Sequence, residues 1–141
     1  MNYKIDNLIT PCYVIDLGLL KKNLEILGSV QQRSKCKILL ALKGFAAWST
    51  FDLCCKFLNG AAASSLHEAK LAKEYFQKEV HLCAPAYRND EMIDYLEIVD
   101  HIVFNSISQW KRFKEKKYHT INDIQFGLRI NPMHSEVKTK I

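Results

Sequence analysis

Short apolar runs recur along the chain at Lys37–Leu42, Gly60–Ser64, Val80–Ala84, Ile102–Asn105 and Gln125–Ile130, each with the length and composition of a buried strand. Their starts fall about 20 residues apart. The segments between them carry helical spacing: Leu66, Ala69, Ala72 and Phe76 share one face, as do Met92, Ile93, Leu96 and Val99. Start signals precede the helices. Ser65 with Glu68 forms a capping box, Thr50 stands before Phe51, and Asn89-Asp90 stands before Glu91. Strand, helix, strand at this period predicts parallel strands joined by crossover helices, in a doubly wound sheet or in a (β/α)8 barrel. Periodicity alone does not separate the two.

Ahead of this repeat, Cys12–Ile15 after Pro11 reads as a further strand, and Asp16 as the cap of an amphipathic helix with Leu17, Leu20, Leu24 and Leu27 along one side. The chain therefore divides into residues 1–36, a strand and helix leading in, and residues 37–141, a run of βα units. At the other end Val137–Ile141 alternates apolar and polar residues like the start of another element. A complete barrel takes about 250 residues, so about five of its eight βα units are expected here.

Composition narrows the class without choosing a function. With 141 residues, 48% of them hydrophobic and 25% charged, the chain has ordinary globular usage. The formal charge of +5 comes from scattered lysines. No basic stripe with interleaved aromatics appears, which argues against nucleic acid as the partner and for anionic metabolites. Five cysteines without a CxxC pair read as buried thiols in a reducing, cytoplasmic setting. No apolar run approaches the roughly 18 residues of a membrane span. His67, His81, His101, His119 and His134 show no metal-ligand spacing, so no metal site is expected. Asp94, Glu97 and Asp100 read as a solvated helix face, and Trp48 and Trp110 as packing residues.

The stretch richest in chemical content is Ile38–Phe45, an apolar strand that delivers Lys43 at its C-terminal end, where βα folds build their sites. Partial desolvation disfavours the ammonium form and makes such a lysine a better nucleophile toward an aldehyde. A strand-end lysine also commonly reaches for water, so position alone leaves both readings open.

The order of motifs resembles that of the fold-type III pyridoxal-phosphate enzymes, the group of ornithine, diaminopimelate and carboxynorspermidine decarboxylases. Thr10–Asp16 resembles their entry segment, Leu40-Ala41-Leu42-Lys43 the strand with the Schiff-base lysine, and Ala63–Glu68 the strand end and helix cap that follow. Phe104-Asn105-Ser106 and Leu128–Pro132 resemble the ends of the fourth and fifth barrel strands. Ala41–Ser49 with Phe51-Asp52-Leu53, and Arg129–Pro132 followed by His134–Val137, are most similar to the carboxynorspermidine branch. Ala62 stands where the ornithine and diaminopimelate enzymes usually carry aspartate, which favours the same branch.

The resemblance implies a partial barrel of the alanine-racemase-like type, with Cys12–Ile15 as the N-terminal strand of the family's second β-domain. It further implies a pyridoxal-phosphate-dependent carboxy-lyase of polyamine biosynthesis that acts on carboxynorspermidine or carboxyspermidine and is a homodimer at full length. Lys43 would hold the cofactor and serve catalysis, Arg129 would lie beside the cofactor, and His134 would touch the substrate. The family's phosphate loop, its stacking histidine and its substrate-gripping acids would follow Ile141, so this chain is expected to be an N-terminal portion, inactive alone. A non-catalytic pyridoxal-phosphate-binding or regulatory relative of the decarboxylases is the alternative.

Overall fold

The computed structural model describes residues 9–134 and Glu136. The polar start of the chain, Ser135 and the alternating segment Val137–Ile141 lie outside the described residues.

Five strands, β1 (Leu39–Ala41), β2 (Gly60–Ala63), β3 (Glu79–Cys83), β4 (His101–Phe104) and β5 (Gln125–Leu128), form one sheet in the order β1-β2-β3-β4-β5. Every neighbouring pair is parallel. Each strand falls on an apolar run predicted from the sequence: β1, β2 and β5 are shorter by one to three residues, and β3 and β4 begin and end one residue earlier. Pairing continues past the edges of β1, where Leu42 N–H donates to the Ala62 carbonyl at 3.0 Å and Asn59 N–H to the Ile38 carbonyl at 3.1 Å.

The connections are α2 (Phe51–Cys54), α3 (Leu66–Leu71), α4 (Met92–Ile98) and α5 (Ile107–Phe113), with α1 (Leu17–Ser34) ahead of the sheet. Helix α3 widens into a π turn over Ala72–Phe76 and closes on Gln77, which takes a left-handed φ of 56°. The predicted face of Leu66, Ala69, Ala72 and Phe76 is buried throughout. In α4 the face is turned by one position: Met92, Leu96 and Val99 are buried, but Tyr95 fills the place expected of Ile93, which is exposed. The tyrosine ring packs edge-on against Tyr87, with centroids 5.9 Å apart, and covers more of the core than isoleucine would.

The strand faces divide the molecule. Ala61, Ala63, Val80, Leu82, Ile102 and Phe104 point to the helices and are buried, forming the core with Phe51, Phe76, Met92 and Phe113. Alternation sends Ala62, His81, Cys83, His101 and Val103 to the opposite face, which is more open. That open face carries the chemistry.

The N-terminal expectations need correction. Cys12–Ile15 is exposed and pairs with no strand among the described residues. Asp16 does cap α1, its Oδ1 accepting the Leu19 N–H at 2.9 Å. Only Leu24 of the four leucines is buried and Leu20 partly so; Leu17 and Leu27 remain exposed, since α1 packs chiefly along its side toward α2. Gln31 fastens it there, donating to the Phe57 carbonyl at 2.5 Å and accepting the Ile38 N–H at 2.7 Å.

Other expectations also shift. Of the five cysteines only Cys54 is buried, and all five are free thiols. Trp48 is 58% exposed but keeps its ring 5.6 Å from that of Tyr75, and Trp110 is 37% exposed, so both pack at the surface rather than in the core. Thr50 turns its hydroxyl back to the Ala47 carbonyl at 2.8 Å, and Asn89 and Asp90 accept from Arg112 and Arg88, so none of the three caps the helix that follows. Asp100 is not on the α4 face: it lies beyond the helix and accepts the Val80 N–H on Oδ2 at 2.8 Å. Among the described residues no helix is long and apolar enough to cross a membrane.

Candidate active site

All five parallel strands end on the same rim of the sheet, and the turns after them hold the residues singled out by the sequence. Lys43 follows β1 in a tight turn, in which the Gly44 and Phe45 N–H groups both donate to the Ala41 carbonyl at 3.0 and 3.1 Å. With Leu42 buried behind it and bonded to Ala62, the backbone under Lys43 is fixed while its side chain stays exposed. Lys43, Ala41, Ala62, Ala63, Ser64 and Cys83 line one concavity of about 130 Å³. Its walls are small because three adjoining strands contribute alanine, serine or cysteine at this level.

The turn after β2 is held by a reciprocal cap. Ser65 Oγ accepts the Glu68 N–H at 3.2 Å, the expected half of the capping box. The other half differs: Glu68 Oε2 reaches one residue further back and accepts both the N–H and the hydroxyl of Ser64, at 2.6 and 2.8 Å. Ser64, which borders the concavity, is thereby locked. The turn after β4 repeats the arrangement, with Ser106 Oγ accepting the Gln109 N–H at 3.2 Å and Gln109 Oε1 accepting the Asn105 N–H at 2.9 Å.

Asn105 connects the neighbouring turns as well. Its Nδ2 donates to the Ala84 carbonyl, beyond the end of β3, and its Oδ1 accepts from Arg129 Nη1 at 3.5 Å. Arg129 in turn donates its backbone N–H to the Phe104 carbonyl at 2.8 Å, which continues the β4–β5 pairing one residue past the strand. Sequence reading noticed Asn105 only as part of a motif and gave it no role. The structure places it as the tie between β3, β4 and the arginine.

Lys43 and Arg129 stand on the two outer strands of the sheet, so the structure brings Lys43 together with Ser64 and Cys83, and Arg129 with Asn105, but not the two cations with each other. His134 is exposed in the loop after β5, its Nε2 4.0 Å from Glu136. Farther from the rim on the same open face, Glu79, His81 and His101 come together, a grouping that the sequence reading did not foresee.

Taken together, the fold is a segment of parallel α/β barrel with a lysine turned out at the C-terminal ends of its strands. In sequence it is homologous to decarboxylases of carboxylated polyamines. It is 44% identical over 140 residues to a carboxyaminopropylagmatine decarboxylase of a Synechocystis species, covering 99% of this chain and 36% of that protein. It is 42% identical over 122 residues to a carboxynorspermidine/carboxyspermidine decarboxylase of Campylobacter jejuni, covering 86% of this chain and 31% of the relative. The crystal structure of carboxynorspermidine decarboxylase from Campylobacter jejuni in complex with norspermidine superimposes with a TM-score of 0.80 at 39% identity, over 84% of this chain and 31% of that one. No family model matches. The chain thus spans about a third of the length of these relatives, and its five-stranded sheet matches part of the barrel in that structure.

Proposed function

We propose that this chain is the lysine-bearing part of a pyridoxal-phosphate-dependent decarboxylase that acts on a carboxylated polyamine. The carrying observation is Lys43 itself: a primary amine held on a rigid strand end, opening onto a concavity lined by small side chains, in a chain homologous to named decarboxylases. Such a wall leaves room for a planar aldehyde against the lysine, so the residues present fit the cofactor. Pyridoxal phosphate, when bound, supplies an aldehyde that captures amines and a conjugated ring that takes up the electron pair left as carbon dioxide departs.

The chain's own residues do the rest. Lys43 Nζ would hold the cofactor and, when not bound to it, would be free to carry a proton. Arg129 contributes a fixed positive charge from β5, and Asn105 orients it. In an eight-stranded barrel, strands four places apart face each other across the mouth, which would set Lys43 and Arg129 on opposite sides of it. His134, in the loop beyond β5, is the substrate contact of this proposal. Carboxynorspermidine, carboxyspermidine or carboxyaminopropylagmatine is the substrate class that the relatives' names suggest. Homodimer formation and a cytoplasmic setting belong to the same proposal, the latter supported by five free thiols.

The 141-residue chain alone is expected to release no carbon dioxide, because the face carrying Lys43 is open to solvent and about two thirds of the relatives' length lies outside the match. The decisive test is chemical. In the protein at the length of its relatives, pyridoxal phosphate followed by borohydride should label the peptide carrying Lys43, and Lys43→Ala should abolish that label. Label spread evenly over exposed lysines would overturn the assignment.

A further inference from the structure

We propose that Glu79, His81 and His101 form a binding site for one transition-metal cation of the Zn2+ type, clamping β3 to β4. One donor atom from each of the three lies within 4.8 Å of the others, and all three residues are half-buried. Their placement follows from strand geometry. Glu79 and His81 are two residues apart on β3 and so share a face, while His101 is the registered partner of His81 on β4. The hydrogen-bonded strands hold the backbones of the three donors at fixed spacing, so only side-chain torsions separate them from a common ligand.

The donor chemistry selects the ion. Two imidazoles and one carboxylate suit zinc and its neighbours in the transition series, whereas calcium and magnesium prefer oxygen alone. Three protein ligands leave a fourth position of a tetrahedral ion for water.

Two features must adjust. The imidazoles stack with centroids 4.0 Å apart and planes at 13°, so their lone pairs run nearly parallel. Rotation about the broad χ2 torsion of one histidine makes them converge. Lys37 also pairs with the carboxylate, but through Oε1, whereas His81 faces Oε2 at 3.1 Å. An ion that enters between His81 and Oε2 leaves Lys37 in place, as an outer positive charge that weakens binding without blocking it.

The test is titration of the chelator-treated full chain with Co2+ and Zn2+, Mg2+ serving as control. One Co2+ per chain should bind, with the visible ligand-field bands of a nitrogen–oxygen site, and Zn2+ should compete it off and raise the melting temperature. His81→Gln and His101→Gln should each weaken Zn2+ at least about tenfold, since even outer-shell substitutions cost that much. Lys37→Gln should strengthen it about two- to fivefold, the worth of one exposed charge pair, a gain that no folding defect can imitate. Thiolate-to-cobalt charge transfer would place the ion on cysteines and overturn the proposal. So would the absence of saturable binding, or unchanged affinity in both histidine variants.

Discussion

Glu68 accepts the backbone N–H and the hydroxyl of Ser64 on a single oxygen, at 2.6 and 2.8 Å, and so binds the start of α3 to the end of β2. Ser64 borders the same concavity as Lys43, so this cap reaches the candidate site. Removing the carboxylate strands the Ser64 N–H. Glu68→Ala is expected to cost about 1–3 kcal/mol of unfolding free energy by denaturant titration. Glu68→Gln should cost less than half of that, because Gln109 already performs the equivalent bond to Asn105 through an amide oxygen. Equal losses in the two variants would show that charge, not hydrogen bonding, holds the turn.

Gly60 of β2 lies against the backbone of Glu79, its registered partner on β3. A Cβ built there would lie 2.2 Å from the Glu79 carbonyl oxygen, a backbone atom that cannot swing aside. Gly60→Ala must therefore part the two strands, and we expect a loss of about 3 kcal/mol or more, at the upper end of overpacking penalties. Thermal unfolding followed by circular dichroism checks this. A melting temperature within a degree or two of the parent would mean that the sheet yields more readily than its packing implies.

The strands were legible because apolar runs of strand length recur at one period, and the buried face of α3 because its apolar residues repeat at helical spacing. Helix α5 was harder. Its apolar residues Ile107 and Trp110 are exposed and only Phe113 is buried, so it has little amphipathic signature, although Ser106 and Gln109 carried the same capping signal that marked α3. The place of Lys43 at a strand end could be read from the sequence, but its proposed role came from the ordered motifs around it. The tie through Asn105 could not be read, since it depends on which turns the parallel register sets side by side. Glu79, His81 and His101 escaped for the same reason: local ligand spacing was the criterion, yet in a parallel sheet residues one βα period apart become neighbours. His81 and His101 are such a pair.

Asn105 ties Ala84 to Arg129, using its amide nitrogen on one side and its amide oxygen on the other. Asn105→Asp keeps an acceptor for the arginine but presents an oxygen to the Ala84 carbonyl, where a donor is needed. Asn105→Ala loses both contacts. Both variants should lower stability, by about 1 kcal/mol for the alanine and more for the aspartate, which adds carbonyl–carboxylate repulsion. If Arg129 serves the cofactor as proposed, both should also weaken pyridoxal phosphate binding in the protein at the length of its relatives. Spectral titration of the cofactor against each variant measures that loss, and undiminished affinity in Asn105→Ala would remove Asn105 from the positioning role.

Tyr87 is buried between β3 and β4, its hydroxyl accepting the Ala84 N–H at 3.0 Å and donating to the Val103 carbonyl at 2.6 Å. Burial pushes the phenol up from its ordinary 10.0 to about 12. The sign follows from linkage. The unfolded chain releases the proton first, so the stability that Tyr87 contributes is fully present below pH 10 and is lost as pH rises from 10 toward 12. Tyr87→Phe leaves the Ala84 N–H without the tyrosine oxygen and should cost about 1–3 kcal/mol at neutral pH. The same variant should flatten the alkaline limb of the stability curve, because phenylalanine has no proton to lose. Urea unfolding of both proteins from pH 8 to about 11 separates the two effects: a constant offset reports the lost hydrogen bonds, and a gap that narrows with pH reports the titration. A gap that stays constant up to pH 11 would show that the phenol ionises no later in the folded chain than in the unfolded one.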